Sequence, residues 1–341
     1  MDVSVVVLAY GEEPWLNETV ESALASTGVT VEVIVVDNGA AEAVATIEGR
    51  DPRVRVLRPG HNLGFAGGVN AGVAASTGEI VCMLNSDAAV APDCLARLAE
   101  HLRARDGVAG ALVLLADEPD TINSAGNPLH VLGLSWAGGM GRPRTEAPPV
   151  AEVASASGAC LALTRRHWDL LGGFGEDYFA YLEDMDLCWR THQLGLPVAV
   201  LGDAVAWHHY EYGRTGHKRY LLERNRLLFL LTNHEAGTLA ALALPLVALE
   251  GAMLVLAVAQ GWAGQKVRGW GWLLRHPGRI ARRRRLVQAA RRVPDADLFD
   301  LMTTRFSAEQ EEMPAAGRLL EAVLQGYWAI ARRTLRGSAQ R

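Results

Sequence analysis

The chain has 341 residues, half of them hydrophobic and 21% charged, which excludes disorder as its general state and allows one large domain or a domain with an extension. Its four cysteines (Cys82, Cys94, Cys160, Cys188) lack paired spacing, which excludes zinc and disulfide frameworks and suits reduced thiols in the cytosol. The net charge is −5, yet the stretch from Trp262 to Arg292 holds ten Lys or Arg and no Asp or Glu, leaving −15 for the rest. An acidic body with a basic, tryptophan-rich arm points to an anionic surface as partner, either membrane or nucleic acid.

Met1-Asp2 runs straight into the apolar run Val3–Ala9, so the first element is a strand and no secretory leader is expected. Pro14 opens a helix reaching about residue 27, and residues 31–36 form a second strand ending in Asp37-Asn38-Gly39. A weaker helix to about Glu48 and a short strand, Val54–Leu57, come next. Gly64–Ala75 reads as a glycine-rich turn entering a helix. The run from Ile80 to Leu84 is apolar throughout, as in a strand buried on both faces of a parallel sheet, and it stops abruptly at Asn85-Ser86-Asp87. Residues 92–105 form a helix and Val108–Leu115 a further strand. This alternation predicts an α/β fold, a mostly parallel sheet with helices on both faces.

From residue 117 to 153 the pattern loosens into a hairpin and a mobile lid. Residues 157–163 return to strand character, and Tyr178 to Arg190 lead into a helix ending near Gly195. Two short strands are expected at 198–201 and 204–207, the second running into His208-His209. After Lys218 the chain reads as helical, broken at Pro277, Pro294 and Pro314. The expected division is a catalytic domain over 1–235 and a helical extension over 236–341.

Polar groups cluster at the ends of the predicted strands. Asp37 is placed to accept hydrogen bonds from a base or sugar, or else to stabilise its own turn. Asp87 is placed to bind a divalent cation, or else Asn85-Ser86-Asp87 caps the helix at Pro92. The glycine-dense segment 62–72 lets a phosphorylated ligand approach a helix N-terminus, or else serves close helix–sheet packing. The first strand ends in Ala9-Tyr10-Gly11-Glu12 without a G-x-G-x-x-G fingerprint, which counts against a nicotinamide-dependent dehydrogenase. His208, 24 residues after Asp184, is placed to complete a metal site or to pack beside Trp207. His209 competes for that role but faces the opposite way along an extended strand.

Four segments together carry a resemblance over about the first 235 residues: Val35-Val36-Asp37-Asn38-Gly39, Asn62-x-Gly64-Phe65-Ala66-x-Gly68-x-Asn70-x-Gly72, Leu84-Asn85-Ser86-Asp87, and Phe179-x-x-x-Glu183-Asp184-x-Asp186-Leu187-x-x-Arg190. Their order and spacing, with Trp207-His208 beyond them, resemble a family 2 glycosyltransferase of the GT-A fold, in its rhamnosyltransferase-like and galactofuranosyltransferase-like branch. The resemblance implies an enzyme that moves a sugar from a nucleotide diphosphate to an acceptor hydroxyl with inversion. Asp37, Asn38, Ala9 and Tyr10 would bind the nucleotide. Asn62, Gly64, Phe65, Gly68, Asn70 and Asn85 would shape the nucleotide-sugar site. Asp87 would hold metal and diphosphate, with His208 as a further ligand of Mg²⁺ or Mn²⁺. Asp184 would be the general base, with Glu183 beside it in the acceptor site. Asn85 replaces the first carboxylate of the family's D-x-D motif, and Ala9-Tyr10-Gly11 replaces its more usual Asn-Tyr-Asn.

Branch resemblance favours deoxythymidine-diphosphate rhamnose as donor, with UDP-galactofuranose or another UDP-hexose next, and a cell-surface polysaccharide or lipid-linked glycan as acceptor. A non-catalytic sugar-nucleotide binding or scaffold protein is the alternative of another class. Residues 239–259 carry one charge, Glu250, and one proline, Pro245. A glutamate there penalises a membrane span, so a helix lying in the headgroup region is expected, with Trp262, Trp270, Trp272 and Arg282 to Arg285 at its side. A second copy of the chain, the protein's own core or a true membrane span are the alternatives for these helices, and nucleic acid is not expected. The expected location is the cytoplasmic face of the membrane.

Overall fold

The computed structural model describes residues 1–210, 216–306 and 315–339. Packing divides the chain into two units: residues 1–127, 137–191 and 196–211 form the first, and 128–136, 192–195 and 212–341 the second. The division comes earlier than the expected boundary at 235, because the helix over 216–233 packs with the helices that follow it.

The elements begin with β1 (Val3–Ala9), α1 (Leu16–Leu24), β2 (Val31–Asp37), α2 (Ala41–Ala45), β3 (Val54–Leu57) and α3 (Gly64–Ala75). Next come β4 (Ile80–Asn85), β5 (Ala88–Val90), α4 (Cys94–Ala104), β6 (Val108–Leu115), β7 (Ile122–Ser124), and β8 (Leu129–His130) of the second unit. The first unit is completed by β9 (Val150–Glu152), β10 (Cys160–Thr164), α5 (Arg165–Leu171), most of α6 (Glu183–Gln193) and β11 (Val198–His208). The sheet order is β3-β2-β1-β4-β10-β6-β11-β5, with β7 on β6 and β9 on β11.

Strand β1 shows why its run is apolar on both faces, with Ser4, whose hydroxyl donates to Glu32 at 2.7 Å, as the exception. Val3, Val5, Val7 and Ala9 enter one core with α1 and α4, while Val6 and Leu8 enter the other with α3. Side chains alternate along a strand, so a sheet covered on both faces requires apolar residues at both parities.

Three features depart from the expected pattern. Residues 88–90 form β5, antiparallel to β11, and α4 starts only at Cys94, so Asn85-Ser86-Asp87 is a corner between two strands and caps no helix. The two short strands expected near residue 200 are one strand, β11, with a register shift between Leu201 and Val205. Strand β10 runs antiparallel to both β4 and β6. After β6 the chain does not cross back, so it remains at the carboxyl edge, and the next strand of the central sheet must run in reverse. That excursion includes the hairpin strand β7, and it leaves the start of β10 beside the end of β4, with Cys160 opposite Leu84.

The second unit contains α7 (Gly216–Asn233), α8 (Ala236–Ala259), α9 (Ala263–Arg275), α10 (Pro277–Ala290), α11 (Asp295–Leu298), β12 (Met302–Thr303) and α12 (Ala315–Ala339). Strand β12 pairs in parallel with β8. The chain breaks at Pro277 and Pro294 as expected, while Pro314 lies outside the described residues.

Four charges are gathered between α7, α8 and α9. Lys266 Nζ donates to Glu223 at 2.6 Å and to Glu250 at 3.1 Å, and Arg226 donates to both carboxylates. Glu250 thus faces its own unit, because buried charges persist where they are paired and hydrogen-bonded. It does not burden the outer face of α8, where Leu244, Val247, Val255 and Val258 are 66–72% exposed. This helix is long and apolar enough to cross a membrane by length and composition. Within the arginine run, Arg284 turns inward to the carbonyls of Leu231 and His234, and Arg282 and Arg285 remain exposed.

Candidate active site

Strand register alone brings the candidate residues to one edge. Ala9 lies opposite Asp37, Leu8 opposite Asn85, and Ala88 opposite His208. Tyr10, Asp37, Asp87 and His208 therefore sit at the carboxyl ends of the parallel strands, where α/β sheets bind ligands.

Asp87 and His208 face each other at that edge. His208 Nε2 lies 3.1 Å from Asp87 Oδ1 and 3.5 Å from Asn85 Nδ2. Asp87 also accepts the His209 amide through its carbonyl, which holds the corner against the end of β11. The His209 ring turns away, stacked on Trp15 at 3.6 Å, with Nε2 3.4 Å from Glu18. Adjacent ligands of an octahedral cation with bonds near 2.1 Å are about 3.0 Å apart. The Asp87–His208 separation matches that spacing. Among the described residues no group of three His, Cys, Asp or Glu is placed to hold a metal, so a cation here would draw its other ligands from diphosphate and water.

Asp184 opens α6 and is held by backbone donors. Oδ2 accepts the Gly158 amide at 2.9 Å, and Oδ1 accepts the Met185 amide at 2.8 Å. A Cβ at position 158 would lie 3.3 Å from Asp184 Oδ2, so the close approach suits glycine. Burial raises the Asp184 carboxyl above its ordinary range, although these amides pull the other way. Glu183 is 6% exposed, and burial together with the Asp184 charge pushes its carboxyl well above the ordinary range. Neighbouring carboxylates oppose each other's ionisation, and a raised carboxyl is the better proton acceptor once ionised.

The turn of α6 carrying this pair is braced from behind. Asp186 accepts the Tyr178 hydroxyl at 2.9 Å and Arg190 Nε at 2.8 Å, and Arg190 donates to the carbonyls of Leu171 and Gly173. The segment before it is strained, since Phe179, Tyr181 and Leu182 all have φ between 66° and 70°. Non-glycine residues persist there only where the surroundings over-determine them, and such strain concentrates at functional sites. The Phe179 carbonyl accepts the Ala66 amide, linking this segment to α3.

The glycine-rich turn is a latch. Asn38 Oδ1 accepts the Leu63 amide, Asn38 Nδ2 donates to Asn62 Oδ1, and Asn62 Oδ1 accepts the Gly64 amide. Gly64 has φ +71°, and a Cβ there would lie 2.5 Å from the Phe179 carbonyl oxygen. Asp37 Oδ1 accepts the Ala40 amide at 2.9 Å, and Oδ2 lies 3.7 Å from Arg58. Tyr10 is 60% exposed, and its amide donates to Glu13, a carboxylate raised chiefly by burial and also by the Asp87 charge.

Four expected contacts are corrected by side-chain direction. Ala9 is fully buried in the core, so it lines no pocket. Gly68 turns its bare Cα to β1, where a Cβ would meet Leu8 at 2.2 Å. Phe65 packs 6.0 Å from Phe174 in the second core. The Asn70 amide bonds both backbone groups of Phe174, so it ties α3 to the segment leading to α6. Sequence reasoning missed Gly158, Glu13 and Asn123. Asn123 Oδ1 lies 3.1 Å from His208 Nδ1, and its position within a loosely patterned stretch offered no local signal.

This sheet, with a carboxylate–histidine pair at its carboxyl edge and an acid pair beside it, Glu183 buried and Asp184 half-buried, is of the GT-A type. Its likeness to solved structures includes GalNAc-T7 with UDP, GalNAc and Mn²⁺, at TM-score 0.59 and 17% identity, covering 70% of this chain and 50% of that one. A profile described as Glycosyl transferase family 2 matches residues 4–165. The succinoglycan biosynthesis protein ExoO of Rhizobium meliloti (strain 1021) is 39% identical over 132 residues, covering 38% of this chain and 36% of that protein. The N-acetylglucosaminyl-diphospho-decaprenol L-rhamnosyltransferase of Mycobacterium tuberculosis (strain ATCC 25618 / H37Rv) is 31% identical over 234 residues, covering 60% of this chain and 75% of that enzyme. The chain thus spans about a third of the first of these relatives and three quarters of the second. It belongs to glycosyl transferase family 2.

Proposed function

We propose that the chain is an inverting glycosyltransferase that moves a sugar from a nucleotide diphosphate to a hydroxyl of a cell-surface or lipid-linked glycan. The observation that carries this is Asp184, held by two amides with its carboxyl raised, at the Gly158-Ala159 turn whose Ala159 carbonyl accepts the Asn85 amide at 2.9 Å, beside the corner of the Asp87–His208 pair. Asp184 takes the proton of the acceptor hydroxyl as that oxygen attacks the anomeric carbon and the bond to diphosphate breaks. Asp87 and His208 would hold a divalent cation, which would supply positive charge to the departing diphosphate. Glu183, kept neutral by burial, lines the acceptor side and avoids competing for the proton. Asp37 and Tyr10, with the loop latched by Asn38 and Asn62, receive the nucleotide.

Deoxythymidine-diphosphate rhamnose is the favoured donor, on the likeness to the Mycobacterium tuberculosis relative, whose name specifies L-rhamnosyl transfer and a diphospho-decaprenol acceptor. Contact with an anionic membrane surface fits a lipid-linked acceptor. It draws on the exposed apolar face of α8 and on the exposed Arg282 and Arg285 of an arm without acidic residues. The test is turnover of a panel of nucleotide sugars (dTDP-rhamnose, UDP-galactofuranose, UDP-glucose, GDP-mannose) by the purified full chain with Mg²⁺ or Mn²⁺. Release of dTDP from dTDP-rhamnose is the expected result. Nucleotide binding by calorimetry without turnover of any donor would turn the assignment to a binding protein.

A further inference from the structure

We propose that Asn123 is a positioning residue that holds His208 in the tautomer whose Nε2 lone pair faces Asp87 and the cation position. The proposal rests on the reading of Asp87 and His208 as metal ligands. Asn123 is the extra residue of β7 between Ser124, opposite Val113, and Ile122, opposite Leu114, and both it (3% exposed) and His208 (8%) are buried. Its Oδ1 is 3.1 Å from His208 Nδ1, and its Nδ2 is 3.5 Å from Met140 Sδ.

The direction of the amide follows from its two neighbours. With Oδ1 toward the ring, the amide nitrogen donates to the thioether, a weak acceptor. Turned over, the amide oxygen would face the sulfur as one acceptor against another. An acceptor at Nδ1 requires the proton there, so in the neutral ring Nε2 carries the lone pair. Asn85 Nδ2, 3.5 Å from Nε2, is placed to donate to that lone pair. Asp87 Oδ1, 3.1 Å from Nε2, competes for the ring proton, so Asn123 biases the ring toward the Nδ1–H tautomer, the one left once a cation stands between Nε2 and Asp87; neutral imidazole is the form that ligates metal.

The other tautomer would place an N–H at Nε2, hydrogen-bonded to Asp87 Oδ1 and closed to a cation. Asn123 separates these states without touching the cation or the donor. Partners of this kind typically contribute 10- to 100-fold in metal affinity. Substitution to Asp preserves an acceptor at Nδ1, whereas substitution to Leu or Ala removes it.

The experiment is Mn²⁺ titration of the full chain in the presence of dTDP or UDP. Free Mn²⁺ is followed by electron paramagnetic resonance, and the ¹⁴N coupling of bound Mn²⁺ by electron spin echo modulation. Wild type should show a nitrogen ligand, which Asn123→Asp keeps, while Asn123→Leu and Asn123→Ala weaken Mn²⁺ binding about 10- to 100-fold and lose the coupling. Folding is checked by circular dichroism and thermal unfolding. If His208→Ala alters neither affinity nor coupling, the metal reading of His208 fails. If His208→Ala alters both but folded Asn123→Leu or Asn123→Ala stays within about twofold of wild type, the positioning role is overturned. Loss of the nitrogen coupling in folded Asn123→Asp overturns it equally, even if the Leu and Ala variants do not fold.

Discussion

Replacing Asp184 by Asn separates the chemistry of the site from its architecture. The side chain accepts two backbone amides, Gly158 at 2.9 Å and Met185 at 2.8 Å. An asparagine keeps one acceptor and turns an N–H₂ toward the other amide, at a cost of about 1–3 kcal/mol. Removing a half-buried charge beside Glu183 offsets part of that, so the variant should fold. Loss of the base should lower kcat by about 10²–10⁴-fold, or roughly 3–5 kcal/mol of barrier, with nucleotide binding by calorimetry unchanged. Glu183→Gln is the contrast. Burial and the Asp184 charge hold the Glu183 carboxyl well above its ordinary range, so glutamine reproduces the neutral form, and kcat should stay within about tenfold. In wild type the rate should fall as pH drops through the raised Asp184 value, since protonation removes the base. Equal losses in the two variants, or an Asp184→Asn enzyme within about threefold of wild type, would refute the assignment.

Other outcomes follow from particular contacts. Gly64→Ala combines φ +71° with a Cβ 2.5 Å from the Phe179 carbonyl oxygen, so urea unfolding should show a loss of about 2–4 kcal/mol, and an unchanged midpoint would contradict the packing. For Glu32, burial alone would raise the carboxyl, but Ser4, Thr77 and Arg55 outweigh it and hold it at about 2. That stabilisation is fully present above the unfolded value and is lost as pH falls toward 2. Wild type should therefore exceed Glu32→Gln by about 2–3 kcal/mol at neutral pH, with the gap closing below about pH 4.5, and a pH-independent gap would count against it. Flotation with anionic liposomes should weaken on joint change of Arg282 and Arg285 to Gln and weaken further with salt; unaltered flotation would remove the electrostatic part.

Much of the first unit was legible in the chain itself. Strands buried on both faces must be apolar at both parities, so Val3–Ala9, polar only at Ser4, and the run from Ile80 to Leu84 announced themselves. Glycines at the start of α3 and the acidic pair at the start of α6 marked the ends of elements by residue type alone. The i, i+4 spacing of Asp186 and Arg190 likewise held the clue to their ion pair, which is internal to one helix.

Side-chain direction and long-range partnership were decided by tertiary structure. Ala9, Phe65, Gly68 and Asn70 lie within motifs that suggest ligand contact, but each faces a strand or loop whose identity depends on residues far away in sequence. Glu250 looked like a lone charge in an apolar run until folding brought Arg226 and Lys266 to it. Asn123 reaches His208 across 85 residues because β7 folds back on β6 while β11 pairs with the other edge of β6. Local composition determines which segments are buried and where they end; the edge that carries Asp87 and His208 depends on which strand ends the register brings together.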